Sequence, residues 1–306
     1  MYLRQDSRLE PPAKHHRGAV LKRAASSLGE EERATREGKS KYWENLWSSG
    51  VRPGTGFDSG SSCKALAYFL KEEPLGQEIA RRGGDALVPG CGRGYDCELV
   101  KSCGPFQKVL GLELSQSAAK AAQKWLQEVS STEGIEVKAQ NFFEVSCKAP
   151  GTYDLIFDCS FLTALHPHAR PGWAKKMKKL VKPGGYLVLV VFPLAATGFS
   201  LGQFLRHRVL GAPPYPLASA QVTDLLVGFD QVYSNDPLPP ALAHRRDTGH
   251  ASSLLVFQKK RLQAIRTPSG RTVLSGADAT SSPENTTETT PPSGDAQTPP
   301  PDAPAE

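Results

Sequence analysis

Between Lys41 and Arg261 short, wholly apolar runs alternate with amphipathic stretches, and few folds survive that pattern. Asp85-Ala-Leu-Val-Pro-Gly90 reads as a buried strand that ends in a glycine loop, and Lys108-Val-Leu-Gly-Leu-Glu113 as a second strand that ends in an acid. Ser115 to Val129 predicts a helix, with Ser115 as N-cap and Ala118, Ala122, Trp125 and Val129 along one face. Ile135 to Asn141 is a third strand and Tyr153-Asp-Leu-Ile-Phe-Asp158 a fourth, whose continuous apolar centre suits a strand covered on both faces. A helix from about Ala169 to Val181 groups Trp173, Met177, Leu180 and Val181, turns Lys175, Lys176, Lys178 and Lys179 to water, and is stopped by Pro183-Gly184-Gly185. Tyr186 to Phe192, Phe229 to Tyr233 and Ser253 to Gln258 supply the remaining strands. Strands that alternate with helices specify a doubly wound, parallel α/β sheet.

The flanks are of another kind. Hydrophobic residues make up 39% of the chain and are concentrated in this central span, which is long enough for one well-buried domain. Residues 1–40 read as a polar extension, and from residue 267 Thr, Ser, Pro, Asp and Glu dominate as far as Pro299-Pro300-Pro301 and beyond. Such a tail buries too little apolar surface to offset its ordering entropy, so no fold is expected over 263–306 and the working domain is 41–262.

The net charge of +6 raises the question of nucleic acid, but the basic residues are dispersed and do not form a stripe interleaved with exposed aromatics. Nucleic acid is therefore not an expected partner. The six cysteines form no CxxC pair and stand at no zinc-ligand spacing from a histidine, so free thiols and no metal are expected. No window approaches the length of a membrane span. The N-terminus lacks the apolar core of a secretory signal, and its acids (Asp6, Glu10 and Glu30-Glu31-Glu32) argue against an organelle transit peptide without ruling it out, which favours a cytoplasmic setting.

The chemistry gathers where strands end. Val88-Pro-Gly-Cys-Gly-Arg-Gly-Tyr-Asp96 follows the first strand, and Gly90, Gly92 and Gly94 allow a tight turn whose backbone N–H groups approach a ligand. The spacing is G-x-G-x-G, not the G-x-G-x-x-G of a pyrophosphate site, which counts against a nicotinamide-dependent oxidoreductase. Glu113 ends the second strand about 20 residues past the loop, where an acid accepts hydrogen bonds from ribose hydroxyls. NAD and S-adenosyl-L-methionine both carry such a ribose. Asn141-Phe-Phe143 and Asp158-Cys-Ser-Phe161 follow the third and fourth strands, at carboxyl ends where ligands of such sheets bind.

The chain resembles the thiopurine S-methyltransferase superfamily, in its branch of thiol and halide methyltransferases. The resemblance rests on Trp43-Glu-Asn-Leu-Trp47, then Gly50-Val-Arg-Pro-Gly-Thr-Gly-Phe-Asp58, Leu87 to Asp96, Gly111-Leu-Glu-Leu-Ser115 and Asn141-Phe-Phe143. It continues through Tyr153 to Asp158, Arg170-Pro-Gly-Trp-Ala174, Leu180-Val-Lys-Pro-Gly-Gly185, Pro213-Pro-Tyr215 and Leu254 to Lys260. What it implies is a class I methyltransferase fold, a mostly parallel Rossmann-like sheet of about seven strands, with S-adenosyl-L-methionine as co-substrate and a monomeric state. It further implies that Trp43, Trp47 and Phe57 form a lid, that Gly90 and Gly92 line the methionine part and Glu113 the ribose, that Asn141 and Phe142 sit at the adenine, and that Asp158 and Cys159 lie near the methyl end. Phe57 stands where that branch often has tryptophan, Asn141 where it has aspartate, and Cys159 where it has tyrosine.

Methyl transfer to a thiol, thiocyanate, bisulfide or halide is a single displacement on a nucleophile that needs positioning and little else. The absence of a triad or paired carboxylates fits that chemistry, and no catalytic base is named from the sequence. His166, His168, Arg170, Tyr215, Arg245 and Arg246 are candidates for attracting an anionic acceptor. The competing readings are an oxygen, nitrogen or thiopurine-like acceptor, or a binding module without activity.

Overall fold

The computed structural model describes residues 40–129, 133–146, 151–195, 213–244, 250–261, 263–266 and 272–275. A helix over residues 40–48, α1, is followed by α2 (Lys64–Glu72) and α3 (Pro74–Arg82). Then come β1 (Gly84–Pro89), α4 (Tyr95–Cys103), β2 (Phe106–Glu113), α5 (Gln116–Glu128), β3 (Ile135–Ala139) and β4 (Tyr153–Cys159). The short α6 (Phe161–Ala164), α7 (Arg170–Leu180), β5 (Val181–Val191), α8 (Ser219–Leu225), β6 (Phe229–Asn235) and β7 (Ser253–Lys259) complete the domain.

The strands form one seven-stranded sheet in the order β3-β2-β1-β4-β5-β7-β6. Strands β1 to β5 pair in parallel, whereas β7 runs antiparallel to both β5 and β6. Successive connections run outward in opposite directions from β1 and β4, so a crevice opens above the carboxyl ends of that central pair. The sheet is mixed only at its last two strands, as the expected mostly parallel architecture requires.

The two-residue period of a strand explains why the apolar runs are continuous. In β4, Leu155 and Phe157 join the cluster that packs Leu66, Phe69 and Ile79 of α2 and α3. Ile156, between them, joins the opposite cluster with Trp173 and Met177 of α7. Strand β5 divides likewise, Val188 and Val190 to one side and Leu187 and Leu189 to the other.

Three local expectations are corrected. Helix α7 ends at Leu180, ahead of Pro183-Gly184-Gly185, and Val181 already pairs with Tyr153. The next pair in that ladder is Leu155 with Tyr186, so the Pro-Gly-Gly run is a bulge within β5, where the positive φ of Gly184 is accommodated. Lys176 is not simply solvated: its Nζ donates to the carbonyls of Phe143 and Val145 and ties α7 to the turn after β3. Beyond residue 262, where no fold is expected, β8 (Gln263–Arg266) pairs antiparallel with β9 (Thr272–Ser275). Both segments carry β-branched residues either side of a Pro-Ser-Gly sequence, a hairpin signal that the composition of the tail masks.

Candidate active site

The glycine loop and the end of β2 are built as one unit. Gly90, Gly92 and Gly94 all have positive φ, of 62°, 53° and 84°. A Cβ at Gly90 would lie 2.7 Å from Cδ2 of Phe161, so even alanine would displace that ring. Glu113 is buried and holds the loop to the strand: Oε2 accepts from the Gly92 N–H at 2.9 Å, and Oε1 from the N–H groups of Leu114 at 2.8 Å and Ser115 at 3.3 Å. Burial raises its pKa against the pull of those donors. Its carboxylate has acceptor capacity beyond these bonds and faces the crevice.

Over the loop lies an aromatic cover. Phe57 meets Trp43 and Trp47 edge to face, each at 5.3 Å between centroids. Trp47 is buried and reaches to 3.6 Å from where a Cβ on Gly92 would stand. Two fastenings hold this cover down, and neither is legible in the sequence. Arg93 of the loop donates from Nε to Asp58 at 2.8 Å and from a terminal nitrogen to the Val51 carbonyl at 2.8 Å, and its guanidinium stands 5.4 Å over the Trp47 ring. Glu44 of α1 accepts from the Ser115 hydroxyl at 2.7 Å, from the Ser117 N–H at 3.2 Å and from the Ser117 hydroxyl. Those hydroxyls, that of Ser117 above all, pull the Glu44 pKa down to about 2. A carboxylate at the first turn of α5 is also where the helix dipole favours one.

Asn141 and Phe142 sit at the β3 end of the cleft. Asn141 accepts from the Phe143 N–H at 3.0 Å and so caps the turn that presents Phe142, which packs edge to face on Phe161 at 5.2 Å. Asp158 departs from expectation. It is wholly buried, accepting from the Leu162 N–H at 3.0 Å and from Trp173 Nε1 at 3.0 Å, and it does not line the cleft. Burial pushes its pKa up to about 7. The strand places alternate residues on opposite sides, so Asp158 points into the core under α6 and α7 while Cys159 reaches the cleft.

The whole cleft encloses about 1300 Å³. Its far wall is made by Cys159, Phe192, Pro193, His166, His244 and His250. His166 stacks on His168 at 5.0 Å and meets Tyr215 edge to face at 5.4 Å. Ser160 adopts a left-handed φ of 60°, a strained backbone at the turn out of β4. Arg170, a candidate for an acceptor anion, is instead buried with a terminal nitrogen on the Tyr215 carbonyl at 2.9 Å, and lies outside the lining. Tyr215 is likewise buried and outside it. Arg245 and Arg246 fall outside the described residues.

With this geometry in view, the likeness to known proteins is specific. The family profile for thiopurine S-methyltransferase (TPMT) matches residues 38–232. The chain belongs to the thiopurine S-methyltransferase family. Within reach of this TPMT-family chain is a probable thiol methyltransferase 2 of Arabidopsis thaliana, 31% identical over 198 residues, covering 64% of this chain and 76% of that protein. Thiocyanate methyltransferase 1 of Brassica oleracea is 32% identical over 213 residues, covering 67% and 80% respectively. A solved S-adenosylmethionine-dependent methyltransferase from Methanosarcina mazei superposes with a TM-score of 0.51 at 20% identity, over 61% of this chain and 98% of that one, a likeness of fold. The chain is thus a SAM-dependent methyltransferase of the TPMT family, a family of small-molecule enzymes.

In this TPMT-family chain the structure brings together Trp43, Trp47, Phe57, Gly90, Gly92, Glu113, Asn141, Phe142 and Cys159, and leaves Asp158 behind the wall. Sequence reasoning missed Glu44, Asp58 and Arg93 as fastenings, and His244, His250 and Phe192 as wall. The loop before β7 had been singled out for its arginines, and the neighbouring histidines were the signal to follow. Among the described residues no group of three or more His, Cys, Asp or Glu is arranged to hold a metal. No helix among them is long and apolar enough to cross a membrane. Cys63, Cys91, Cys97, Cys103 and Cys159 are free thiols, and Cys147 lies outside the described residues.

Proposed function

We propose that this enzyme, its catalytic unit spanning residues 41–262, methylates a thiol or a small soft anion such as thiocyanate, bisulfide or a halide. The observation that carries the proposal is the far wall: imidazole, phenyl, proline and thiol groups facing an aromatic lid across one cleft. A wall of that chemistry desolvates an anion, which raises its reactivity. The sulfur-directed relatives from Arabidopsis and Brassica support the same acceptor class.

S-adenosyl-L-methionine fits the near side. Glu113 offers carboxylate oxygens to ribose hydroxyls, and Gly92, without a Cβ, lets the backbone approach the methionine part. Asn141 and Phe142 supply an amide and a ring face for adenine, while Gly90 keeps its place because a side chain there would strike Phe161. When bound, the co-substrate supplies a methyl carbon made electrophilic by a positively charged sulfur. Trp43, Trp47 and Phe57 exclude water from that carbon, and the loop and wall hold the two reactants in line. Such positioning is worth roughly 7–11 kcal/mol of barrier where alignment is good.

The test is transfer of a labelled methyl group to thiocyanate, iodide, bisulfide and an aromatic thiol side by side, with Trp47→Ala as the open-lid control. Turnover of one or more that falls in the variant supports the reading. No turnover on any, with the methyl donor still bound, refutes it.

A further inference from the structure

Among the described residues three carboxylates line the cleft: Asp58, Asp96 and Glu113. Two of them are committed. Asp58 accepts from Arg93 Nε on one oxygen at 2.8 Å and from the Gly60 N–H on the other at 2.8 Å. Glu113 receives the N–H groups of Gly92, Leu114 and Ser115 and faces the proposed ribose. Asp96 differs. Its Oδ1 accepts from the Cys63 N–H at 2.7 Å, and among the described residues its Oδ2 has neither a hydrogen-bond donor nor a cation. It stands in the first turn of α4, two residues beyond Gly94, the last glycine of the loop.

An oxygen in that condition is costly to keep. Burial, opposed only by the one N–H, pushes the Asp96 pKa up to about 6. A cation against Oδ2 would offset the desolvation, but Arg93, the arginine of the loop, is engaged with Asp58 and the Val51 carbonyl. The cation that fits belongs to the ligand. The methionine part of S-adenosyl-L-methionine carries an ammonium as well as a carboxylate. Backbone N–H groups of a glycine loop can receive the carboxylate, whereas an ammonium needs an acceptor. A carboxylate both accepts its protons and cancels its charge, in the stronger, charge-assisted kind of hydrogen bond. Gly90 and Gly92, proposed above to line the methionine part, belong to the loop that leads straight into α4.

We propose that Asp96 binds the ammonium of the methionine part of the co-substrate. The inference rests on the co-substrate placement proposed above. The Cys63 N–H holds Oδ1 and so fixes the orientation of the carboxylate, leaving Oδ2 to accept from the ammonium. Asp96 and Glu113 then grip the co-substrate on either side of its sulfur, one at the amino group and the other at the ribose. Two such grips restrict the direction in which the methyl carbon is presented, which is what an in-line displacement requires. Asp58 has no share in this, because both of its oxygens are taken up in fastening the lid.

The experiment is calorimetric and needs no turnover. Wild type and Asp96→Asn are titrated, at a pH well above the Asp96 pKa, with S-adenosylhomocysteine and with methylthioadenosine. The first keeps the ammonium; the second has the same nucleoside and a thioether but no amino acid. Asparagine retains an oxygen for the Cys63 N–H and removes the charge. The expected result is a loss of about 10- to 100-fold in affinity for S-adenosylhomocysteine, the scale of a hydrogen bond to a charged group, and a change of less than about threefold for methylthioadenosine. Retained methylthioadenosine binding also reports that the variant is folded. Unchanged affinity for S-adenosylhomocysteine, or equal losses on both ligands, would overturn the assignment. So would tighter binding of S-adenosylhomocysteine, which would set Asp96 against the ligand's carboxylate. Wild-type enzyme that binds neither ligand would instead bring down the co-substrate placement beneath it, and the inference with it.

Discussion

The two sides of the cleft are made differently. The near side comes mainly from one unbroken stretch, β1 through the start of α5, in which Glu113 satisfies the loop it faces, with Asn141 and Phe142 added after β3. The far side is assembled from segments distant in the chain: Cys159 and Ser160 after β4, Phe192 after β5, and His244 and His250 before β7. Their supporting carboxylates also differ in sign. Glu44, which fastens the lid to the near side, is drawn down to about 2 by hydroxyl donors, whereas Asp158, buried under α6 and α7, is pushed up to about 7 by burial, and Asp96 at the start of α4 to about 6. A near side of this kind is local and self-supporting. A far side of this kind can be altered one segment at a time.

If that division holds, near-side changes weaken every acceptor equally. The largest effect is expected for Glu113→Ala. It removes the acceptor of three N–H donors and of the proposed ribose contacts, each worth about 1.5–3 kcal/mol when the acceptor is charged. Calorimetry should show affinity for S-adenosylmethionine down by roughly 100-fold or more, a loss of about 2.7 kcal/mol. A normal affinity in that variant would remove Glu113 from the near side.

Trp47→Ala comes next, with kcat/KM falling roughly tenfold on thiol and thiocyanate alike, because water enters over the methyl group. It costs less than the 3–5 kcal/mol typical of a core tryptophan, since Trp47 has the cleft on one side. A loss confined to one acceptor would show that the lid belongs to the far side as well.

Glu44→Ala unfastens α1 without touching the loop. Its hydrogen bonds are part-buried and hold the lid, not the co-substrate, so co-substrate affinity should fall only about fivefold. The same carboxylate gives a sign for acid. Because its folded pKa is lowered from 4.5 to about 2, the stability it contributes is complete above about pH 4.5 and is lost as pH falls towards 2.

The smallest effect runs the other way. Asp158 and Asp96 have folded pKa values raised from 3.8, so they bind protons in the folded state that the unfolded chain does not hold. Stability from them is present at low pH and lost as pH rises through about 6 to 7. Scanning calorimetry should find the unfolding midpoint a few degrees higher at about pH 6 than at about pH 8. An unchanged slope in Asp158→Ser would assign the effect elsewhere.

The sheet was legible in advance because a strand buried on both faces must be apolar along its whole length, as Leu155-Ile-Phe157 and Leu187 to Val191 are. The glycine loop and Glu113 were legible because their geometry is local: positive φ at Gly90, Gly92 and Gly94 needs that residue type. Asp158 was misplaced because the register of β4, which turns it inward and Cys159 outward, is set by the helices packed above. The bulge at Pro183-Gly-Gly185 read as a helix stop because glycine and proline mark an irregularity without saying on which element it falls.

By itself, then, the sequence determined the alternation of elements, the doubly wound sheet, the glycine loop with Glu113 beside it, and the family. Each of these depends on residues close in the chain or on a period repeated along it. The tertiary structure alone decided the ion pair of Asp58 with Arg93, the latch of Glu44 on Ser115 and Ser117, and the meeting of His244 with Cys159. Those contacts join residues whose separation in sequence carries no periodic signal, and only the closing of the sheet and its loops brings their side chains within hydrogen-bonding distance.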